Sequence, residues 1–122
     1  MGYGAHLTVI NNSTRDIQLF IEGIECMYDN NEYGSNLSIF NGAQVAAGQA
    51  FPAPGGQFIE AVASGRCFFT TSTFQLGVGG VGSVTFADAS QSWSVSENTN
   101  PGTLLVSIQN GEQATITVVY EG

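Results

Sequence analysis

At 122 residues the chain has the length of one domain, spanning 1–122, and can bury a core without a metal or a dense disulfide framework. Hydrophobic residues make up 43% and charged residues 10%, a mixture that excludes disorder, which needs low hydrophobicity and high charge. Ten acidic side chains face only Arg15 and Arg66, and there is no lysine; the net charge of −8 excludes nucleic acid as an expected partner and disfavours docking on anionic lipid.

The opening segment Met1 to His6 has neither the basic nor the apolar stretch of a secretory signal, and His6 stands where a myristoylation pattern wants Ser or Thr. Leu7 and Val9 alternate with His6 and Thr8, and Ile17, Leu19 and Ile21 resume the alternation after the polar stretch Asn11 to Asp16. This predicts two strands joined as a hairpin. Asn11, Asn12 and Asn36 begin glycosylation triplets, which matter only in a eukaryotic secretory pathway.

Further candidate strands follow near Leu37 to Phe40, Gln57 to Ala63, Cys67 to Gln75, Ser83 to Phe86 and Gln91 to Ser96. Asn41-Gly42, Pro52 to Gly56, Gly77 to Gly82 and Asn98 to Gly102 punctuate them. In the last twenty residues Leu104, Val106 and Ile108 share one face, as do Ala114, Ile116, Val118 and Tyr120. Asn110-Gly111 between them suits a type I′ turn, so residues 103 to 120 read as a hairpin. No window carries sustained helical spacing, no repeat aligns, and no apolar run nears the ~20 residues of a membrane span. The expected fold is an all-β, antiparallel β-sandwich of short strands with little or no helix.

Enzymatic equipment is sparse. His6 is the only histidine, no Gly-x-Ser-x-Gly elbow exists, and Cys67 would serve as a nucleophile only if His6 approached it across the fold. The glycine-rich Gly77 to Gly82 precedes another strand rather than a helix, which is wrong for a phosphate loop and right for a turn or bulge. The chain is therefore not expected to be an enzyme. Cys26 and Cys67 are too far apart for a CxxC motif; either they pair as a disulfide or they are buried thiols.

Between Cys26 and Asn36 lies a segment of acidic, amide and tyrosine side chains. Asp29, Asn30, Asn31 and Glu32 offer oxygen ligands that suit Ca²⁺, with Asp29 and Glu32 as the charged pair, although the spacing is not that of an EF-hand and a solvated acidic loop is the plainer reading. No other cofactor is expected. Tyr28 and Tyr33, flanked by Asn and Glu, are candidate ligand-stacking rings together with Asn30 and Asn31. Trp93 is a further candidate, with core packing as its alternative because Val95 shares its face.

Three segments carry a family resemblance: the opening Gly2-Tyr-Gly-Ala-His-Leu-Thr-Val-Ile-Asn-Asn12, the stretch Ile59 to Arg66 followed by Thr73-Phe-Gln-Leu76, and the closing Ala114-Thr-Ile-Thr-Val118. Together they cover about a quarter of the chain, which in these pieces resembles the aegerolysins, small acidic β-sandwich proteins related in architecture to actinoporin-like cytolysins. The family's Cys-Pro-Trp-Gly segment is missing, and Trp93 is the only tryptophan. The resemblance implies binding to membrane lipid, sometimes with a separate pore-forming protein partner. The expectation is a recognition module for a neutral or zwitterionic surface ligand, a lipid headgroup first and a glycan as the alternative, in an extracellular setting. Low charge density and many Val, Ile and Thr strands also suit a homo-oligomer or self-assembling protein.

Overall fold

Alternating burial runs along most of the longer strands, and eleven strands form among the described residues, three of them two-residue strands that the sequence did not lead one to expect. They are β1 (Gly4–Asn11), β2 (Ile17–Glu25), β3 (Met27–Tyr28), β4 (Gln44–Val45), β5 (Ala50–Phe51), β6 (Gln57–Ala61), β7 (Ser72–Val78), β8 (Gly82–Asp88), β9 (Trp93–Asn98), β10 (Leu104–Gln109) and β11 (Ala114–Tyr120). This computed structural model describes residues 3–52 and 55–122. Met1, Gly2, Ala53 and Pro54 lie outside it, and with them Gly2 of the opening segment and part of the turn expected at Pro52 to Gly56.

One sheet has the order β10-β11-β1-β6-β3, with β5 continuing the β6 side of β1; the other has the order β4-β2-β7-β8-β9. The fold is an all-β sandwich. Among the described residues its strand pairs are antiparallel with one exception, the parallel β1–β11 ladder that runs from Ala5↔Ala114 to Asn11↔Tyr120. Leu7, Val9, Ile59, Ile116 and Val118 from the first sheet meet Leu19, Leu76, Val84 and Phe86 from the second in one buried cluster. Such burial is the main favourable term holding the layers together. Gly56, at φ +81°, passes so close to β1 that a Cβ would stand 2.6 Å from the Thr8 hydroxyl and 3.0 Å from the Leu7 carbonyl oxygen.

Four expectations need correction. β1 and β2 do not form a hairpin: β1 pairs with β11, β5 and β6, while β2 lies in the other sheet against β4 and β7. The 12–16 connection is an arch between layers, because both strands have an apolar face and each can bury it only against the opposite sheet. Leu37–Phe40 is a 3₁₀ turn that buries Leu37 and Phe40, not a strand. The strand expected from Cys67 begins only at Ser72, after a 3₁₀ turn at Gly65–Cys67. Finally, β10 and β11 do form a hairpin, but neither Asn110 nor Gly111 has positive φ, so the turn is not type I′. Both residues are engaged elsewhere: the Trp93 amide donates to Asn110 Oδ1 at 2.9 Å, Asn110 Nδ2 donates to the Trp93 carbonyl at 3.2 Å, and the Tyr3 hydroxyl donates to the Gly111 carbonyl at 2.7 Å.

The strand directions gather loops 62–71, 89–92 and 110–113 at one end of the sandwich. Loops 12–16, 46–49, 79–81 and 99–103 lie at the other.

Candidate functional site

Loop 62–71 leaves β6 at one end of the sandwich and is tied down twice. The Val62 amide donates to the Cys26 carbonyl at 2.7 Å, and Cys67 is joined to Cys26 by a disulfide with a Cα–Cα distance of 5.7 Å. Internal bonds then fold the loop on itself: Cys67 N–H to Ser64, Phe68 N–H to Gly65 and Thr70 N–H to Cys67, with the Thr70 hydroxyl donating to the Arg66 carbonyl at 2.9 Å. With Cys67 drawn inward, the next two residues are left on the crest. Phe68 is 66% exposed and Phe69 94% exposed, and their rings meet edge to face with centroids 4.7 Å apart.

Exposed phenylalanines in such a pair are unusual on a soluble surface, where single scattered apolar residues are the norm. The ten residues of the loop include Arg66, one of the chain's two arginines, and no carboxylate. Beneath the pair a cavity of about 430 Å³ is lined by Tyr3, Val62, Thr71, Asp88 and Gln91 among others. The Asp88 carboxyl is raised above its ordinary range by burial, an effect opposed by the Ser92 amide that donates to it.

The sequence-predicted residues divide. Tyr28, in the short β3, pairs with Glu60 of β6, and its ring meets that of Tyr33 edge to face with centroids 5.1 Å apart. Tyr33 is 69% exposed and holds φ +54°. An aromatic residue seldom occupies that region, at a cost of roughly 1–3 kcal/mol. The Tyr28 hydroxyl is pushed above its ordinary range by partial burial and by neighbouring Tyr33, Glu60 and Glu32, while Ser64 of loop 62–71 pulls it the other way. The tyrosine pair therefore borders the loop that carries the phenylalanines. Asn30 and Asn31 are exposed beside it, Asn31 with φ +61°.

Asp29 is half-buried and Glu32 exposed. Their main-chain carbonyls accept from the amides of Ser38 and Ser35, which shapes the loop. Among the described residues no three His, Cys, Asp or Glu side chains are grouped as a metal site would require. Trp93 does not join this surface: at 2% exposure it packs in the core, edge to face with Phe74 at 5.7 Å, because the inward face of β9 begins at its first residue. Val95 is 38% exposed, paired with Phe86 just before the register shift that separates it from the Thr85↔Glu97 pair. His6 is half-buried against the Phe58 ring, and Cys67 is committed to its disulfide, so the two residues that nucleophilic chemistry would have needed side by side are not assembled as a pair.

Phe68 and Phe69 were missed because a run from Cys67 to Gln75 reads as a strand, in which one of two adjacent rings would point inward. The usable signal was Gly65: at φ +58° it breaks the extended chain just before the rings. Compared with known proteins, the chain matches no family model and no curated sequence. Among the described residues no helix is long and apolar enough to cross a membrane.

Proposed function

We propose that the protein is a non-enzymatic recognition module that docks on a neutral or zwitterionic lipid surface through the loop 62–71 end of its sandwich. One observation carries this reading: two adjacent, exposed phenylalanines stand on the crest of a disulfide-anchored loop that has no carboxylate. Burying two such rings yields roughly 3–6 kcal/mol in all, which suits weak and reversible membrane contact rather than permanent insertion. Anionic lipid is disfavoured by the net charge of −8, while Arg66 beside the rings suits the phosphate of a zwitterionic headgroup. The aegerolysin-like segments point to the same class of partner, and a disulfide suits an extracellular setting.

The tyrosine pair supports a second reading. Tyr33, exposed beside Asn30 and Asn31, has the ring-and-amide character of a glycan-stacking site. Cosedimentation with phosphatidylcholine vesicles separates the two, with a glycan array run on the same preparation. Wild-type protein is expected to pellet with the vesicles, Phe68→Ser/Phe69→Ser to stay in the supernatant, and Tyr33→Ala to behave as wild type. Vesicle binding that survives the double substitution would sink the membrane reading, and glycan binding lost in Tyr33→Ala would replace it.

A further inference from the structure

Among the described residues the free edges of the two sheets are protected unequally. β3, β4 and β5 are two residues long, too short to template another strand. β9 carries Glu97, a register shift against β8, and at its first residue an amide already bonded to Asn110. Each is a recognised way of blunting an edge. β10 has none of them. Its six residues, Leu-Leu-Val-Ser-Ile-Gln, hold no charge, proline or glycine, and it pairs with β11 without a register shift from Leu104↔Tyr120 to Gln109↔Thr115.

The phase of that ladder fixes which groups face outward. Glu121 N–H donates to the Thr103 carbonyl, so Leu105, Ser107 and Gln109, in step with Thr103, turn their main-chain groups to β11. Leu104, Val106 and Ile108 turn theirs away. Leu104 is satisfied, its amide donating to the Asn100 carbonyl at 2.8 Å and its carbonyl accepting from Asn98 Nδ2 at 2.9 Å. Val106 and Ile108 have no such partner among the described residues, and their side chains are only partly buried at the rim of the core. Leu105, next to them on the outer face, is 46% exposed.

We infer that the β10 edge is a self-association surface whose occupant is β10 of a second copy, running antiparallel about a two-fold axis at Ser107. This register alone uses the two free residues reciprocally: Val106 of each copy exchanges main-chain bonds with Ile108 of the other. Their side chains then meet across the join and extend the core face of the sheet, while Leu105 covers Gln109 on the outer face. A second copy is the fitting partner because two chains of charge −8 repel least along a strand that carries no charge. The interface is separate from loop 62–71 and independent of membrane docking.

The axis places the two Ser107 residues directly opposite in a non-bonded pair, with Cα atoms about 4.5 Å apart, within the span that a disulfide closes. Ser107→Cys is therefore expected to cross-link into a covalent dimer under mild oxidation, while Ser96→Cys, exposed on β9, stays monomeric. In sedimentation equilibrium from the micromolar to the submillimolar range, wild type is expected to dimerise, more tightly at higher salt. Ser107→Lys sets like charges face to face and should weaken the dimer by roughly tenfold or more with an unchanged circular dichroism spectrum. A wild-type monomer throughout that range overturns the inference. So does equal cross-linking of the two cysteine variants, or a dimer indifferent to Ser107→Lys.

Discussion

The two ends of the sandwich are held together by different means. At the end with loops 12–16, 46–49, 79–81 and 99–103, polar side chains serve the backbone. Buried Asn11 donates to the carbonyls of Arg15 at 2.7 Å and Val45 at 3.0 Å, the Asp16 carboxylate accepts from the Ala47 amide at 3.0 Å, and the Thr99 hydroxyl accepts from the Ser83 amide at 2.8 Å. At the other end Asn110, Asp88, Thr70 and Tyr3 serve the backbone in the same way, but a disulfide adds a covalent tie and two phenylalanines face solvent. The covalent tie at the base of loop 62–71 leaves its crest free for contact.

Breaking the disulfide tests this contrast hardest. Cys26 and Cys67 are 41 residues apart, and Cys26→Ala/Cys67→Ala should lower stability in urea by about 3–4 kcal/mol on the loop-entropy account. A loss under about 1 kcal/mol would mean that the internal bonds of loop 62–71 hold it without help. Next comes Asn11→Ala, which strands two carbonyls and should cost about 2–3 kcal/mol in the same titration. Tyr3→Phe removes a hydroxyl that both donates to and accepts from Gly111 and should cost about 1–2 kcal/mol. Phe68→Ser/Phe69→Ser is expected to change stability by less than about 0.5 kcal/mol, as befits rings that serve contact rather than the core.

The smallest effect concerns pH. Burial raises the Asp88 carboxyl, so the folded chain holds this proton more tightly than the unfolded chain does. The group's contribution to stability is fully present at low pH and is lost as pH rises through the range just above that of an ordinary carboxylate. Asp88→Asn should flatten this decline and give a slightly higher melting midpoint at neutral pH. A midpoint profile identical to wild type would show that the carboxylate is fully solvated.

Most of the strands are legible in the sequence because alternation records directly which side chains meet the core. It does not record which sheet a strand joins: Leu7 and Val9, like Ile17 and Leu19, face inward whether β1 and β2 pair or oppose each other across the core. Asn110-Gly111 misled for another reason. Its backbone preference is local, whereas the Asn110 side chain is claimed by Trp93 of the other sheet, a contact set only in three dimensions. Tyr28 and Tyr33 could be marked as outside the core because their neighbours are polar. Phe68 and Phe69 could not, since nothing local reveals that the disulfide draws Cys67 inward and turns both rings outward.

The parallel β1–β11 ladder also fixes how the molecule bears force. β1 enters the sandwich at the phenylalanine end, and its partner β11 leaves at the other, joined to it by seven register pairs. Tension applied through the first and last strands therefore pulls along the ladder, and the seven pairs share the load in shear instead of parting one after another. A chain grasped this way resists until the whole seam slips at once, whereas the β10–β11 hairpin, pulled open from its strand ends, would unzip from the free end toward the turn.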